Sequence, residues 1–236
     1  MILFRKLESQ VRKALFTYEM IPPVGGVGVA LSGGKDSLSL LYLLNRISGK
    51  GFPPFPLHAF HVSGEFSCGA GVTTSYLKEV CDSLGVPLTV LKSDRTLEEL
   101  ECYSCSRERR SLLFDAAKKE GFNTLAFGHH RDDNVVTLML NLFGKGEFAG
   151  ALPKIHMQHY GITIIRPLIY STEDQIIAFS KEAGYLRATC RCPKGQTSMR
   201  RQAKDALNIL EATFPDLWDN LNSAALTYGS QKAAEP

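Results

Sequence analysis

The run VGVALSGGKDSLSLLYLL at residues 27–44 constrains the fold more than any other part of the chain. An uncharged, β-rich stretch leads into a Ser-Gly-Gly turn, and a helical pattern follows directly. This order brings several backbone N–H groups and the positive end of a helix dipole to one point, which is suited to a phosphate anion. The run therefore predicts a phosphate-binding loop after a buried strand.

Each residue of the loop has a separate expected role. The loop consists of Ser32, Gly33, Gly34, Lys35, Asp36 and Ser37. The glycines let the backbone approach a ligand closely, the serines add hydroxyl donors, the lysine adds a charge, and the aspartate is suited to hold Mg²⁺ against the phosphates. The ordinary P-loop pattern fails because valine stands at position 29 and aspartate follows the lysine, which disfavours a kinase or GTPase. A plain polar turn is the alternative, but it has no need of the lysine and aspartate together.

The rest of the chain alternates short β-rich runs with longer segments of helical periodicity. The expected strands are 27–31, 57–62, 88–91 and 124–127, and the expected helices lie near 37–48, 74–84 and 106–120. We also expect a helix from Asp132 and an extended run at 161–166. A further helix follows, with Ser171 and Asp174 as its capping box, and a last helix ends near Thr213. The pattern predicts an α/β fold, a doubly wound parallel sheet with helices on both faces.

One main domain is expected from the length of 236 residues, of which 44% are hydrophobic. We expect an N-terminal helix and lead-in at 1–24, a main domain at 25–229 and a tail at 230–236. The main domain includes a basic, cysteine-containing segment at 187–213.

Charge and hydropathy narrow the function classes. The net charge of +3 is too small for nucleic-acid binding through overall electrostatics alone, so any such contact must come from local patches. The first residues mix charges with apolar side chains, and no later stretch approaches about 18 uncharged apolar residues. We therefore expect a cytoplasmic protein with no membrane partner.

Four of the six cysteines form two pairs in the sequence. Cys102 and Cys105 have C-x-x-C spacing, which allows two thiolates to share one metal, and Cys190 and Cys192 follow much later. A zinc site, a redox pair and an iron–sulfur cluster all remain open from the spacing. Cys81 lies on an apolar helical face and is expected in the core.

The sequence Gly128-His129-His130-Arg131-Asp132-Asp133 follows an expected strand and opens a helix. In a parallel α/β sheet this end of a strand is where ligands bind. Asp133 is expected to complete Mg²⁺ coordination with Asp36, and Gly128 to let the nucleotide pack on the backbone. The alternative is that both aspartates only cap the helix.

Two sets of motifs resemble known families. The loop is similar to the SGGxDS loop of the N-type ATP pyrophosphatases, enzymes that cleave ATP between its α- and β-phosphates. Their fold is known as the PP-loop or adenine nucleotide alpha hydrolase-like fold. The runs CYSCSRERR and GHHRDD, and Cys192 followed by Arg200-Arg201-Gln202, resemble the tRNA-cytidine 2-sulfurtransferase family from about Leu7 to Ala224.

The resemblance implies an ATP- and Mg²⁺-dependent enzyme that adenylates the C2 oxygen of a tRNA pyrimidine and replaces it with sulfur. It implies a 4Fe-4S cluster on Cys102, Cys105 and Cys192, although the C-x-C spacing here leaves Cys190 as the other candidate. It also implies a catalytic basic residue at Arg109, catalytic roles for Asp36 and Asp133, a cysteine desulfurase system as sulfur donor, and allows a homodimer.

The basic stretch Arg187, Arg191, Lys194, Arg200, Arg201 and Lys204 suits phosphates of a folded RNA. As a charge run alone it would be a solvated face, so the RNA interpretation depends on the resemblance. Three rivals remain: a 2-thiouridine synthase, a lysidine-type ligase, and a non-catalytic zinc-stabilised nucleotide- or RNA-binding module.

Overall fold

The computed structural model describes residues 2–64, 74–93, 102–185 and 199–229. The helices are α1 Ile2–Thr17, α2 Lys35–Ile47, α3 Thr74–Leu84, α4 Cys102–Lys119, α5 Arg131–Lys145, α6 Glu173–Glu182, α7 Met199–Glu211 and α8 Leu217–Tyr228. The strands are β1 Val27–Ala30, β2 Leu57–Ser63, β3 Leu88–Lys92, β4 Thr124–Ala126, β5 Lys154–Met157 and β6 Ile162–Ile165. No described helix combines the length and the hydropathy needed to cross a membrane.

The six described strands form one sheet in the order β3-β2-β1-β4-β6-β5. β1 is central because its uncharged residues can be buried on both faces, and it pairs in parallel with β2 and β4. The chain builds the sheet outward from β1 to β3 and then returns to the other side of β1. The strand order therefore reverses between β1 and β4, which is where such sheets bind ligands.

The edge strand β5 differs from the fully parallel expectation. It pairs antiparallel with β6 through a single 3-10 turn at Gln158–Tyr160. Gly161 closes that turn with a φ of 61°. A parallel crossover needs a dozen or more residues. The connection between β5 and β6 is much shorter, so it can only form a hairpin.

Helices cover both faces of the sheet, as the pattern predicted. One core packs α1, α2, α3 and α6 against the sheet through Leu7, Leu44, Cys81, Ile176, Phe179 and other apolar residues. The opposite core packs α4 on the strands through Phe60, Phe114, Leu125, Ile164 and their neighbours. A smaller cluster of Val135, Val136, Leu207 and Trp218 joins α5, α7 and α8.

Several boundaries differ from the expectation. The expected capping box was wrong by one residue, because Thr172 rather than Ser171 caps α6 and pairs reciprocally with Gln175. α4 begins at Cys102, four residues before the expected start at 106. α8 follows what was expected to be the last helix, and the tail at 230–236 lies outside the described residues.

Candidate active site

The loop after β1 is closed by its own side chains. Gly33 has a φ of 84°, a conformation that favours glycine. The Ser32 hydroxyl accepts the Gly34 N–H at 3.3 Å and lies 3.1 Å from the Ser37 hydroxyl, which also contacts the Gly34 carbonyl oxygen at 3.0 Å. Gly34 caps α2 without a side-chain hydrogen bond to the first turn. The first N–H groups of α2 are therefore left to an anion at the positive end of the helix dipole.

Gly128 brings the second motif against this loop. A Cβ atom at Gly128 would lie 3.0 Å from both the carbonyl carbon of Asp36 and the backbone nitrogen of Ser37. No side chain fits there without a backbone shift. The turn after β4 and the first turn of α2 therefore touch through their backbones, as expected where the strand order reverses.

The two carboxylates predicted to bind Mg²⁺ flank one imidazole. His130 Nε2 lies 3.8 Å from Asp36 Oδ1 and 3.5 Å from Asp133 Oδ2. Asp36 Oδ1 is buried, and the Lys35 ammonium group lies 3.0 Å from it. Asp133 Oδ2 accepts the His130 backbone N–H at 3.2 Å, so Asp133 also caps α5. Sequence reasoning had left both histidines without a role, and it missed this placement of His130.

Electrostatics keep Asp133 ionised. Burial alone would raise its pKa, but the neighbouring His130, His129 and Arg200 outweigh burial and hold the pKa below its ordinary value. Within the described ranges no group of three His, Cys, Asp or Glu side chains could hold a metal ion alone. Two carboxylates with phosphate oxygens and water are nevertheless a usual set for Mg²⁺, so Asp36 and Asp133 fit that ion.

Lys35 is held by two carboxylates on either side. Its ammonium group lies 3.0 Å from Asp36 Oδ1 and 3.2 Å from Glu173 Oε1. Burial lowers the pKa of Lys35, but Asp36 and Glu173 more than offset it and the pKa is raised. Glu173 also contacts Lys204 of α7, so it bridges two lysines. Sequence reasoning missed Glu173, which looks like an ordinary acidic residue in the first turn of a helix.

Asp132, whose role the sequence left open, connects two helices. Its carboxylate accepts hydrogen bonds from Arg131 Nε at 2.8 Å and from the Glu173 backbone N–H at 3.0 Å. The second bond caps α6 and fixes the start of that helix beside Lys35. Asp132 is thus a structural residue that positions Glu173.

Arg109 lies on α4 near the end of β2. Burial lowers the pKa of His61 on β2, and the charge of Arg109 adds to that effect. His61 is 2% exposed, and its Nδ1 lies 2.7 Å from the Leu31 carbonyl oxygen, the last residue before the loop. A carbonyl accepts only, so His61 Nδ1 carries the proton. The charge of Arg109 thus acts on a histidine that is hydrogen-bonded to the residue before the loop, and the Nε of Arg109 is buried without a hydrogen-bond partner.

The cysteines are only partly described. Cys102 and Cys105 lie three residues apart in the first turn of α4, two turns and one turn before Arg109 respectively, which places both positions on the same side of the helix. The described side chains of α4 begin at Arg107. Cys190 and Cys192 lie outside the described residues, as do Arg187, Arg191 and Lys194. Cys81 is buried in the core as expected.

Comparisons with known proteins agree with this geometry. A family model described as a PP-loop domain matches residues 5–186. The tRNA-cytidine(32) 2-sulfurtransferase of Geobacter metallireducens is 34% identical over 90% of this chain and 85% of its own length. The protein of the same name from Aliivibrio salmonicida is 34% identical over 94% of this chain and 75% of its own length.

Among solved structures, the U34-tRNA thiolase NcsA from Methanococcus maripaludis, determined with its 4Fe-4S cluster, superposes with a TM-score of 0.73. It is 22% identical and is matched over 94% of this chain and 77% of its own, so the likeness shows a shared fold. With a PP-loop and a GHHRDD turn meeting at the reversal of the strand order, the chain belongs to the tRNA-cytidine(32) 2-sulfurtransferase family of PP-loop proteins.

Proposed function

We propose that the protein is an ATP- and Mg²⁺-dependent tRNA sulfurtransferase, which replaces the C2 oxygen of a pyrimidine with sulfur. Cytidine in the anticodon loop is the expected target, since the family relatives carry that name. One observation carries the proposal: the backbone of Gly128 packs on the Asp36–Ser37 peptide, so two motifs far apart in sequence form one nucleotide site.

ATP would bind with its phosphates at the start of α2. The uncapped N–H groups of the first turn and the hydroxyls of Ser32 and Ser37 supply donors, and Lys35 supplies a charge. Lys35 is charged but already paired with two carboxylates, so phosphate oxygens would take over part of that pairing. Gly128 lets the turn after β4 pack against the loop that would hold these phosphates.

Mg²⁺ would be held by Asp36 and Asp133 together with phosphate oxygens. Asp36 Oδ1 is buried beside the Lys35 ammonium group, and Asp133 is kept ionised by its neighbours. When bound, the ion would neutralise charge on the departing pyrophosphate. His130 lies between the two carboxylates, 3.8 Å from Asp36 Oδ1 and 3.5 Å from Asp133 Oδ2.

The reaction would proceed in two steps. The C2 oxygen of the base attacks the α-phosphorus of ATP, the bond to the β-phosphate oxygen breaks, and pyrophosphate leaves. A sulfide then attacks C2, and the C2–oxygen bond breaks with AMP as the leaving group. Arg109, whose Nε is buried and unpartnered, would stabilise the charge on the α-phosphate in the first step.

Cys102, Cys105 and Cys192 would hold the 4Fe-4S cluster, with Cys190 as the alternative third ligand. The i, i+3 spacing in the first turn of α4 fits two ligands of one cluster. When bound, the cluster would carry the sulfide that enters C2. A cysteine desulfurase system would supply that sulfur, and a homodimer is compatible with the family.

The basic segment at 187–213, within a main domain at 25–229, would contact the tRNA.

The test begins with protein purified without oxygen. Iron and acid-labile sulfide are measured per chain for the unaltered protein and for Cys102→Ala, Cys192→Ala, Cys190→Ala and Cys68→Ala. We expect a cluster that is lost in the first two variants and kept in the Cys68 control, while the Cys190 variant identifies the third ligand. The digested tRNA product is then searched by mass spectrometry for a thiolated pyrimidine, with AMP and pyrophosphate measured in parallel.

Two results would redirect the proposal. AMP formation without a cluster or a thiolated base would leave an adenylating ligase of the lysidine type. Bound zinc with ATP binding but no AMP would leave a nucleotide- or RNA-binding module. Neither alternative explains why two cysteines open the helix that carries Arg109 beside the loop.

A further inference from the structure

A group of cations surrounds Asp133. Arg166 directly follows β6, and its backbone N–H donates to the Pro153 carbonyl oxygen at 2.8 Å. Its Nη1 donates to the Leu152 carbonyl oxygen, whereas its Nε is buried and has no partner. No carboxylate within the described ranges forms an ion pair with this guanidinium. Arg166 is thus anchored at one edge and unsatisfied at the other.

Arg200 reaches the same place from α7. Its Nη1 lies 3.6 Å from Asp133 Oδ1, and its Nη2 donates to the Thr137 hydroxyl at 2.8 Å. Asp133 must therefore serve Arg200 as well as His130, and its field also reaches Arg166. A single carboxylate does not neutralise the cations around it. The side chain of Arg200 is 50% exposed, so this group opens to solvent.

His129 stands among these charges. Its ring stacks on Phe127 at 5.9 Å between centroids, and its Nδ1 is buried without a partner. Burial first, and then Arg166, Arg200 and Arg110, lower its pKa to about 4. A neutral imidazole has one N–H donor and adds no charge. Arg166 Nε and His129 Nδ1 are thus two buried hydrogen-bonding atoms without a partner, although such atoms are normally satisfied.

The charge of Lys35 in the loop is already balanced by Asp36 and Glu173, whereas Arg166 has no carboxylate partner among the described residues. We propose that Arg166, Arg200 and His129 form a second anion site, which binds a phosphodiester of the RNA beside the target base. The inference rests on the proposed function. RNA is favoured over a phosphate of ATP because the site opens toward α7, the helix that carries Arg200, Arg201 and Lys204 on its first two turns.

The test uses the full chain, a fluorescently labelled tRNA transcript and a non-hydrolysable ATP analogue, each titrated separately. Arg200→Gln removes one exposed cation and is expected to leave the fold intact. We expect its RNA affinity to fall about tenfold and the slope of log K against log salt to lessen by about one, as for one lost phosphate contact. Its affinity for the ATP analogue, titrated without Mg²⁺, should stay within about twofold. Lys118→Gln, at the far end of α4, is the charge-matched control and should change neither affinity.

Arg166→Lys provides a second reading, because it keeps the charge and loses the planar donor edge. We expect weaker RNA binding with an unchanged salt slope. If Arg200→Gln weakens the ATP analogue and not RNA, the anion is a phosphate of ATP and the inference is wrong. Equal RNA affinity and equal salt slope in Arg200→Gln and unaltered protein would also overturn it, while the proposed function would stand. If unaltered protein does not bind tRNA at all, the proposed function itself fails.

Discussion

Replacing Gly128 with alanine tests whether the two motifs form one nucleotide site. The added Cβ atom would lie 3.0 Å from two backbone atoms of the Asp36–Ser37 peptide and 3.2 Å from the Asp36 carbonyl oxygen. Neither backbone atom belongs to a flexible side chain, so the strain cannot be relieved by a rotamer change. Overpacking of this kind costs about 1–3 kcal/mol.

That cost must be expressed in stability, in ATP affinity or in both. If the loop keeps its shape, the free energy of unfolding falls, and the melting temperature drops by about 2–12 °C for a chain of this size. If the Asp36–Ser37 peptide moves away instead, stability is preserved and ATP binds about 5- to 150-fold more weakly, because the Ser37 N–H no longer points at the phosphate. Calorimetric titration with an ATP analogue measures the loss of affinity, and thermal unfolding measures the loss of stability.

Gly144→Ala is the matched control. Gly144 lies within α5, and a Cβ atom there would meet nothing within 4 Å. Alanine should stabilise the helix by about 0.5–1 kcal/mol and leave ATP affinity unchanged. If Gly128→Ala matches the unaltered protein in both melting temperature and ATP affinity, the backbone contact does not exist and the proposed site loses its main support.

Three further changes test the surrounding network. The pKa of His129 is lowered by burial and nearby cations from 6.5 to about 4, so between these pH values the unfolded chain binds a proton that the folded protein does not. Metal-free protein should therefore lose up to about 3 kcal/mol of stability as the pH falls through this range. Denaturant titrations at several pH values should show that His129→Gln flattens this dependence. The control His159→Gln, at an exposed site, should leave it unchanged. Asn134→Ala removes hydrogen bonds of 2.7 and 2.6 Å at a residue that is 1% exposed, and we expect a loss of about 2–4 kcal/mol in thermal unfolding, against no change for exposed Asn208→Ala. Glu173→Gln removes a carboxylate that competes with phosphate for Lys35. Calorimetry should therefore find that ATP binds a few-fold more tightly, while the protein is less stable. Weaker ATP binding would mean that Glu173 positions Lys35 instead.

The sequence was enough for the loop, the central strands and the helices on both faces, because each of these has a local signal. The run at 27–44 combines a buried strand, a glycine turn and a helix start, and all three are observed. The antiparallel β5 was not predicted because Lys154–Met157 is too short to show a clear alternation. α8 did carry a signal in the spacing of Trp218, Leu221 and Ala225, although Pro215 just before it suggested an end of helical structure.

The candidate site could be predicted only as far as motifs extend. Lys35, Asp36, Gly128 and Asp133 were named from two short runs, and the structure brings them together. Glu173 was missed, since its importance comes from contacts with side chains 138 residues before it and 31 residues after it. Long-range pairing of this kind leaves no periodicity in a single sequence.

The charges around Asp133 explain how one pocket can accept two polyanions. An adenylating enzyme must bring the phosphates of ATP close to an RNA backbone, and these repel each other. Here the loop lysine is balanced by Asp36 and Glu173, whereas Arg200 is paired with Asp133 alone and Arg166 with no carboxylate of the described residues. Mg²⁺ on Asp36 and Asp133 would withdraw that carboxylate from Arg200 and leave both guanidinium groups uncompensated. Binding of the metal with ATP should therefore strengthen the attraction for RNA phosphate, and bound RNA should strengthen the binding of the metal and ATP by the same factor.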